Sequence, residues 1–456
     1  MKYKRPKIHI TPTKGWINDP NGFSFYNGMF HVFAQHNPYD VKWGPMHWLH
    51  FISKDLIEWK EVGIVMKPET DYDLELGCFS GNAFVENNTH YLFYTGVNKG
   101  RQTQCLAFSK DGENYQKHCK NPIISDVPEG YFIQDARDPK VIKVGDLYYL
   151  IIASKRENGT SILLYVGKDF DSFEFKNTIF DIESKEWCMI ECPDIIILPS
   201  GKCVLLYSIN HKVGNKYEGQ VYYLFGELNH ESFIFTPETK PRLLDYGFDF
   251  YAHETLSYED KIFMIAWQGG VAKNCQDGED GYVGQLSCVR ELIFKNNKVL
   301  QSFPSNLDEK CHLVCDAFSH NLAEGYMSPY LDMHYRMKGE FILSNNSELI
   351  IQLNVGFIIK VNKEEKTISF TRSRNKEEIY CDDGSLLKDK IINIEEDLDV
   401  VNFDIIFDGF CLDILINDGR YSFTSNYFGK SDLGLVTLRS KNDVTIKTLK
   451  IYNIKL

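Results

Sequence analysis

Apolar and polar positions alternate over short runs that end at Gly, Asn or Asp, and a 3.6-residue period is nearly absent. That pattern predicts an all-β chain. Five pairs of runs repeat: residues 22–26 with 29–33, 81–85 with 90–94, 139–142 with 147–151, 194–198 with 202–206, and 255–258 with 261–265. Between the members of each pair sit Asn27-Gly28, Asn87-Asn88, Gly145-Asp146, Ser200-Gly201 and Glu259-Asp260. Such residues accept hairpin-turn geometry. The pairs recur about every 55 to 60 residues, enough for one four-stranded sheet with its loops. Five sheets predict a five-bladed β-propeller over 1–304. Residues 305–325 are mixed and read as a linker with a helical turn. Alternation resumes in 340–343, 348–353, 356–361, 367–371, 401–407 and 411–416. These runs predict a C-terminal β-sandwich domain over 326–456.

In a propeller the first strand of each blade lines the axis, so the residues just before those strands converge at one mouth. Here they are Asn18 and Asp19; Phe79 and Ser80; Arg137 and Asp138; Glu191 and Cys192; His253 and Glu254. The first pair lies in Trp16-Ile17-Asn18-Asp19-Pro20-Asn21-Gly22. By itself Pro-Asn-Gly is turn chemistry. A turn does not require Trp16, and loops of no consequence do not predict acids, amides and an arginine at these junctions.

Composition narrows the partners. The chain has 456 residues, a formal net charge of −13 and 14% aromatic residues. A nucleic-acid partner needs clustered Lys and Arg, and no basic stripe exists. No apolar run reaches membrane-spanning length. Residues 1–10 are charged and contain no apolar core of a signal peptide, so a cytoplasmic protein is expected. The 12 cysteines form no Cys-x-x-Cys pairs, which suits free thiols rather than a metal site.

Three junction residues are carboxylic acids: Asp19, Asp138 and Glu191. Glycoside hydrolysis uses one carboxylate as nucleophile or base and one carboxylic acid to protonate the leaving oxygen. Arg137 is expected to keep Asp138 ionised and to offer a planar donor fork. Trp187, Met189 and Ile190 give Glu191 an apolar sequence neighbourhood, which suits a general acid. Trp16, Trp43, Phe79 and Trp267 offer apolar faces to a sugar ring.

The ordered set of motifs resembles glycoside hydrolase family 32, the invertases, fructanases and sucrose-6-phosphate hydrolases. It comprises the stretch from Trp16 to Gly22, Phe79-Ser80-Gly81, Arg137-Asp138-Pro139 and Glu191-Cys192-Pro193-Asp194. The likeness continues through Gln35-His36-Asn37-Pro38, Asp249-Phe250-Tyr251-Ala252 and Arg290-Glu291-Leu292, and reaches the sandwich at Ile414 to Gly419. The resemblance implies a retaining β-fructofuranosidase that needs no metal or cofactor. It implies Asp19 as nucleophile, Glu191 as acid/base and Asp138 as transition-state stabiliser. Asn18, Gln35, Trp43, Phe79, Ser80 and Arg137 are expected to line the fructose subsite.

The implied substrate is a small sugar, sucrose 6-phosphate or sucrose. An intracellular fructan hydrolase and a non-catalytic sugar-binding protein are the alternatives; losing an acid would favour the latter, and all three acids are present. Lys42, Lys155, Arg156 and Lys212 are candidates for holding a phosphate. His253 departs from the family pattern and is expected near the second sugar.

Overall fold

The computed structural model describes residues 4–213, 216–269, 278–354, 356–372, 389–427 and 432–456. Five antiparallel sheets are arranged as propeller blades. Their innermost strands are Gly15–Tyr26, the broken pair Gly77–Phe79 and Ala83–Glu86, Tyr131–Val144, Cys188–Ile197 and Tyr251–Tyr258. The repeated hairpins fall where the alternation predicts them. For example, Val144 pairs with Leu147 around Gly145-Asp146. The ring closes where Gly15 and Trp16 pair in parallel with Tyr282 and Val283. An apolar layer shared by the first and last blades, including Ile17, Val32, Phe51, Ile265 and Leu286, seals that seam.

The alternation fails at the same level in each innermost strand. Register shifts lie between Ile17 and Pro20, Arg137 and Lys140, Glu191 and Asp194, and Tyr251 and Glu254. The second blade breaks its strand outright between Phe79 and Ala83. A bulge re-aims a side chain that a regular strand would bury between blades. Asp138 (φ 63°), Cys192 (φ 47°) and Ala252 (φ 49°) sit in the left-handed region inside three of these bulges. Such backbone strain of roughly 1–3 kcal/mol per residue is characteristic of functional sites.

Two six-stranded sheets form the sandwich around a core that includes Tyr335, Phe341, Ile351, Phe357, Phe407 and Leu438. The stretch expected as a linker does more than connect. After a 3₁₀ turn at Ser305–Lys310, Cys311–Asn321 is an edge strand of the first sandwich sheet, paired with Val444–Ile454. Most of its residues are exposed on both faces, so no alternation announces it.

Buried ions join the two domains. His9 sends Nδ1 to Asp408 (2.8 Å) and Nε2 to Asp413 (2.6 Å), so both ring nitrogens donate and the imidazole is charged. Asp408 also accepts the backbone N–H groups of Lys7, Ile8 and His9. Arg290, fully buried, bonds Asp245 and Asp413. Cys288 completes a trio of metal-type ligands with His9 and Asp413, but a histidine that donates from both nitrogens is no metal ligand. The ten cysteines among the described residues are free thiols; Cys275 and Cys381 lie outside the described residues.

Candidate active site

The bulges open onto one cavity of about 570 Å³ at the axial mouth. It gathers Asp19 from the first blade, Ser80 from the second, Arg137 and Asp138 from the third, Glu191 from the fourth and Tyr251 from the fifth. Each of the three acids and each residue expected in the fructose subsite lines it: Asn18, Asp19, Gln35, Trp43, Phe79, Ser80, Arg137, Asp138 and Glu191. Trp16 and Trp267 form an edge-on aromatic pair on one wall, with ring centroids 6.1 Å apart. Trp43 stands at the rim, 49% exposed and edge-on to Phe79. Apolar walls with a few convergent polar groups describe a sugar pocket.

Asp19 is held by two neutral donors. Asn18 Nδ2 donates to its Oδ1 (2.9 Å), and Ser80 Oγ donates to its Oδ2 (2.8 Å). Trp16 Nε1 donates in turn to Asn18 Oδ1 (2.8 Å), which fixes the amide with its NH₂ toward the acid. Next to Ser80, Gly81 lets the broken inner strand of the second blade lie flat against its own neighbouring strand, Thr89–Asn98. A Cβ there would lie 2.0 Å from the Phe93 carbonyl oxygen. Burial pushes the Asp19 carboxyl up to about 6; Asn18 and Ser80 pull against that, and Glu191 adds to it.

Asp138 accepts the Cys192 backbone N–H (2.9 Å), and its own N–H donates to Thr95 Oγ1 (3.0 Å). Burial pushes its carboxyl up to about 7, against the pull of Arg137 and with the push of Glu191. The Arg137 fork points elsewhere. Its Nε and Nη2 donate to Glu191 Oε1 (3.2 and 2.9 Å), and its Nη1 to Gln102 Oε1 (3.1 Å). Tyr251 hydroxyl bonds Glu191 Oε2.

The apolar setting expected for Glu191 is therefore not what its oxygens meet. Met189 and Ile190 are buried in the core between the third and fourth blades, and Trp187 packs against that core with Lys155 Nζ 5.2 Å from its ring. His253 is corrected too. It does not line the cavity; its ring is 1% exposed, one level deeper. Glu254 bonds Lys140 Nζ (3.1 Å) below the site, and Tyr251 is the fifth blade's contribution to the cavity. Leu76, Gln102, Asn210 and Tyr251 line the cavity without having been singled out from the sequence. Gln102 and Asn210 lie inside second- or third-position strands, where no turn or motif marks them.

Among the lining residues Arg137 is the one cation, and Glu191 engages it. Arg156 faces Asp181 and Glu183. Lys42 and Lys212 are exposed, and Lys42 adjoins Trp43 at the rim.

A propeller that collects three carboxyl groups in an aromatic-walled pocket at its axis has the parts that glycoside hydrolysis uses. The family model "Glycosyl hydrolases family 32 N-terminal domain" matches residues 9–304. The chain belongs to family 32 of the glycosyl hydrolases. It is 31% identical to a sucrose-6-phosphate hydrolase of Vibrio alginolyticus over 98% of this chain and 90% of that protein. A sucrose-6-phosphate hydrolase of Escherichia coli is 28% identical over 97% of this chain and 93% of its own length. Among solved structures, a family 32 β-fructofuranosidase of Bombyx mori, determined as a variant in complex with sucrose, superposes with a TM-score of 0.84. Its identity is 29%, over 99% of this chain and 94% of that one. Among the described residues, no helix is long and apolar enough to cross a membrane.

Proposed function

We propose that the protein is a retaining β-fructofuranosidase that hydrolyses sucrose 6-phosphate and sucrose, releasing fructose. The observation that carries this reading is Asp19, held between Asn18 and Ser80, in the same cavity as Glu191. Asp19 attacks the anomeric carbon of the fructosyl unit while Glu191 protonates the leaving oxygen. Water then releases fructose from Asp19, with Glu191 taking the proton back. Asp138 holds fructose hydroxyls and stabilises the charge that develops on the ring. Hydroxyl donors favour the ionised form of Asp138, so substrate offsets the effect of its burial.

The sucrose-6-phosphate hydrolases among the relatives support the phosphate ester as preferred substrate. With Arg137 occupied by Glu191, the phosphate is held at the rim, and Lys42, exposed and next in sequence to Trp43, is the candidate to hold it. A phosphorylated disaccharide is met inside the cell, which assigns the enzyme to the cytoplasm. The test is kcat/KM for sucrose and for its 6-phosphate at low and high salt, with Asp19→Asn as the inactive control. The phosphate ester should lead by roughly tenfold or more, with the lead shrinking in salt. Equal values without salt sensitivity would make this a plain invertase.

A further inference from the structure

The two oxygens of Glu191 have different neighbours. Oε1 faces two N–H groups of Arg137, at 3.2 and 2.9 Å, and arginine donates without ever accepting. A proton on Oε1 would point at donors. Oε2 meets the hydroxyl of Tyr251, a group that both donates and accepts. The Tyr251–Glu254 bulge, with Ala252 N–H anchored on Ser208 Oγ (3.0 Å), turns that hydroxyl into the cavity. The ring is buried among Cys192, Ala252 and Trp267, so it cannot swing away.

We propose that Tyr251 is a positioning residue for acid–base catalysis: it confines the working proton of Glu191 to Oε2 and reverses its hydrogen bond as Glu191 cycles. The inference rests on Glu191 being the acid/base. In the empty enzyme the proton on Oε2 bridges to the tyrosine oxygen. When substrate binds, the proton turns to the glycosidic oxygen. The C–O bond breaks with its electron pair going to that oxygen, and the proton follows. Tyr251 O–H then donates to the carboxylate left behind, until attacking water returns a proton to Oε2. The groups that face Glu191 are Asp19 from the first blade, Arg137 and Asp138 from the third, Cys192 from its own strand and Tyr251 from the fifth. Of these, Tyr251 alone is placed on Oε2. Burial and the nearby Glu191 push its hydroxyl well above the usual tyrosine range, so it keeps its own proton throughout and can accept from the acid and donate to the carboxylate in turn.

The test is Tyr251→Phe, which removes one oxygen and leaves the ring, assayed on sucrose and on an aryl β-fructofuranoside whose leaving group needs no proton. On sucrose, kcat should fall about 10- to 100-fold, and on the aryl substrate by less than about threefold. The basic limb of the pH profile should move to higher pH, because a donor to the charged form is lost. Equal losses on both substrates with an unmoved limb would reduce Tyr251 to packing and overturn the proposal. Glu191→Gln, run alongside, separates the two claims. If it is sensitive to the leaving group while Tyr251→Phe is not, only the role of Tyr251 falls. If Glu191→Gln loses both substrates equally, the acid/base assignment falls and takes this proposal with it.

Discussion

Replacing Ser80 by alanine tests whether the donors around Asp19 set its ionisation. Ser80 Oγ donates to Asp19 Oδ2 at 2.8 Å, and burial already holds that carboxyl at about 6. A hydrogen bond to a charged group contributes about 1.5–3 kcal/mol. Some of that also stabilises the protonated acid, and water entering the vacated space replaces part of the rest. A differential of about 1–1.5 kcal/mol remains, and one unit of pKa corresponds to about 1.4 kcal/mol. The sign follows from the charge: the donor favours the carboxylate, so its loss moves Asp19 further up, by about one unit. The acid limb of kcat/KM reports the free enzyme. Asp138, held at about 7, titrates on the same limb, so initial rates on sucrose from pH 4.5 to 8 should show the limb steepened and displaced upward by about a few tenths of a unit in Ser80→Ala. The plateau rate should change by less than about tenfold, because Asp19, the proposed nucleophile, is intact. Ser80→Thr, which keeps the hydroxyl, should leave the limb in place. A limb that stays still in Ser80→Ala, or moves to lower pH, would refute the reasoning.

Asp138→Ala should lower kcat by several orders of magnitude, and azide should not restore it, because in the proposed mechanism Asp138 neither attacks nor transfers a proton. Azide rescue giving a product of opposite anomeric configuration would exchange its role with that of Asp19. Stability should fall as pH rises above 6.5. Burial opposes the charge on His9, but Cys288, Cys411 and the two aspartates outweigh it and raise His9 well above its ordinary value of 6.5. A raised folded-state value gives stability that is complete below 6.5 and is lost as pH climbs through the folded value. Urea unfolding of His9→Gln should be weaker than wild type at pH 6 and lack this high-pH decline; parallel pH profiles for the two proteins would exclude the charged-histidine bridge. EDTA should leave turnover unchanged, and a metal-dependent rate would contradict catalysis by the carboxyl groups alone.

What the sequence revealed and what it hid have physical reasons. The blades were legible because each hairpin carries its own turn and alternation, which are local properties. The acids were legible because each bulge leaves a written trace next to it: Pro20, Pro139 and Pro193 cannot donate to a strand ladder. The fifth bulge holds Ala252 rather than proline, so the sequence alone points two residues too deep, to His253 instead of Tyr251. Gln102 and Asn210 gave no signal because their place at the mouth depends on strands far away in sequence. The surroundings of Glu191 are hidden for the same reason: Trp187, Met189 and Ile190 precede it along the chain, while Arg137 and Tyr251 reach it across blades. The edge strand Cys311–Asn321 hid because alternation records burial, and most of this strand is exposed.

The central claim is displacement at the anomeric carbon by Asp19 with Glu191 as acid/base, and the stereochemistry of the first product tests it most directly. Hydrolysis followed by NMR within the first turnovers, before fructose equilibrates, should show β-fructofuranose forming first. That is the result of two successive inversions by carboxyl groups about 5–5.5 Å apart. α-Fructofuranose as the first product would mean that water attacks directly, and Asp19 would then be a base rather than a nucleophile.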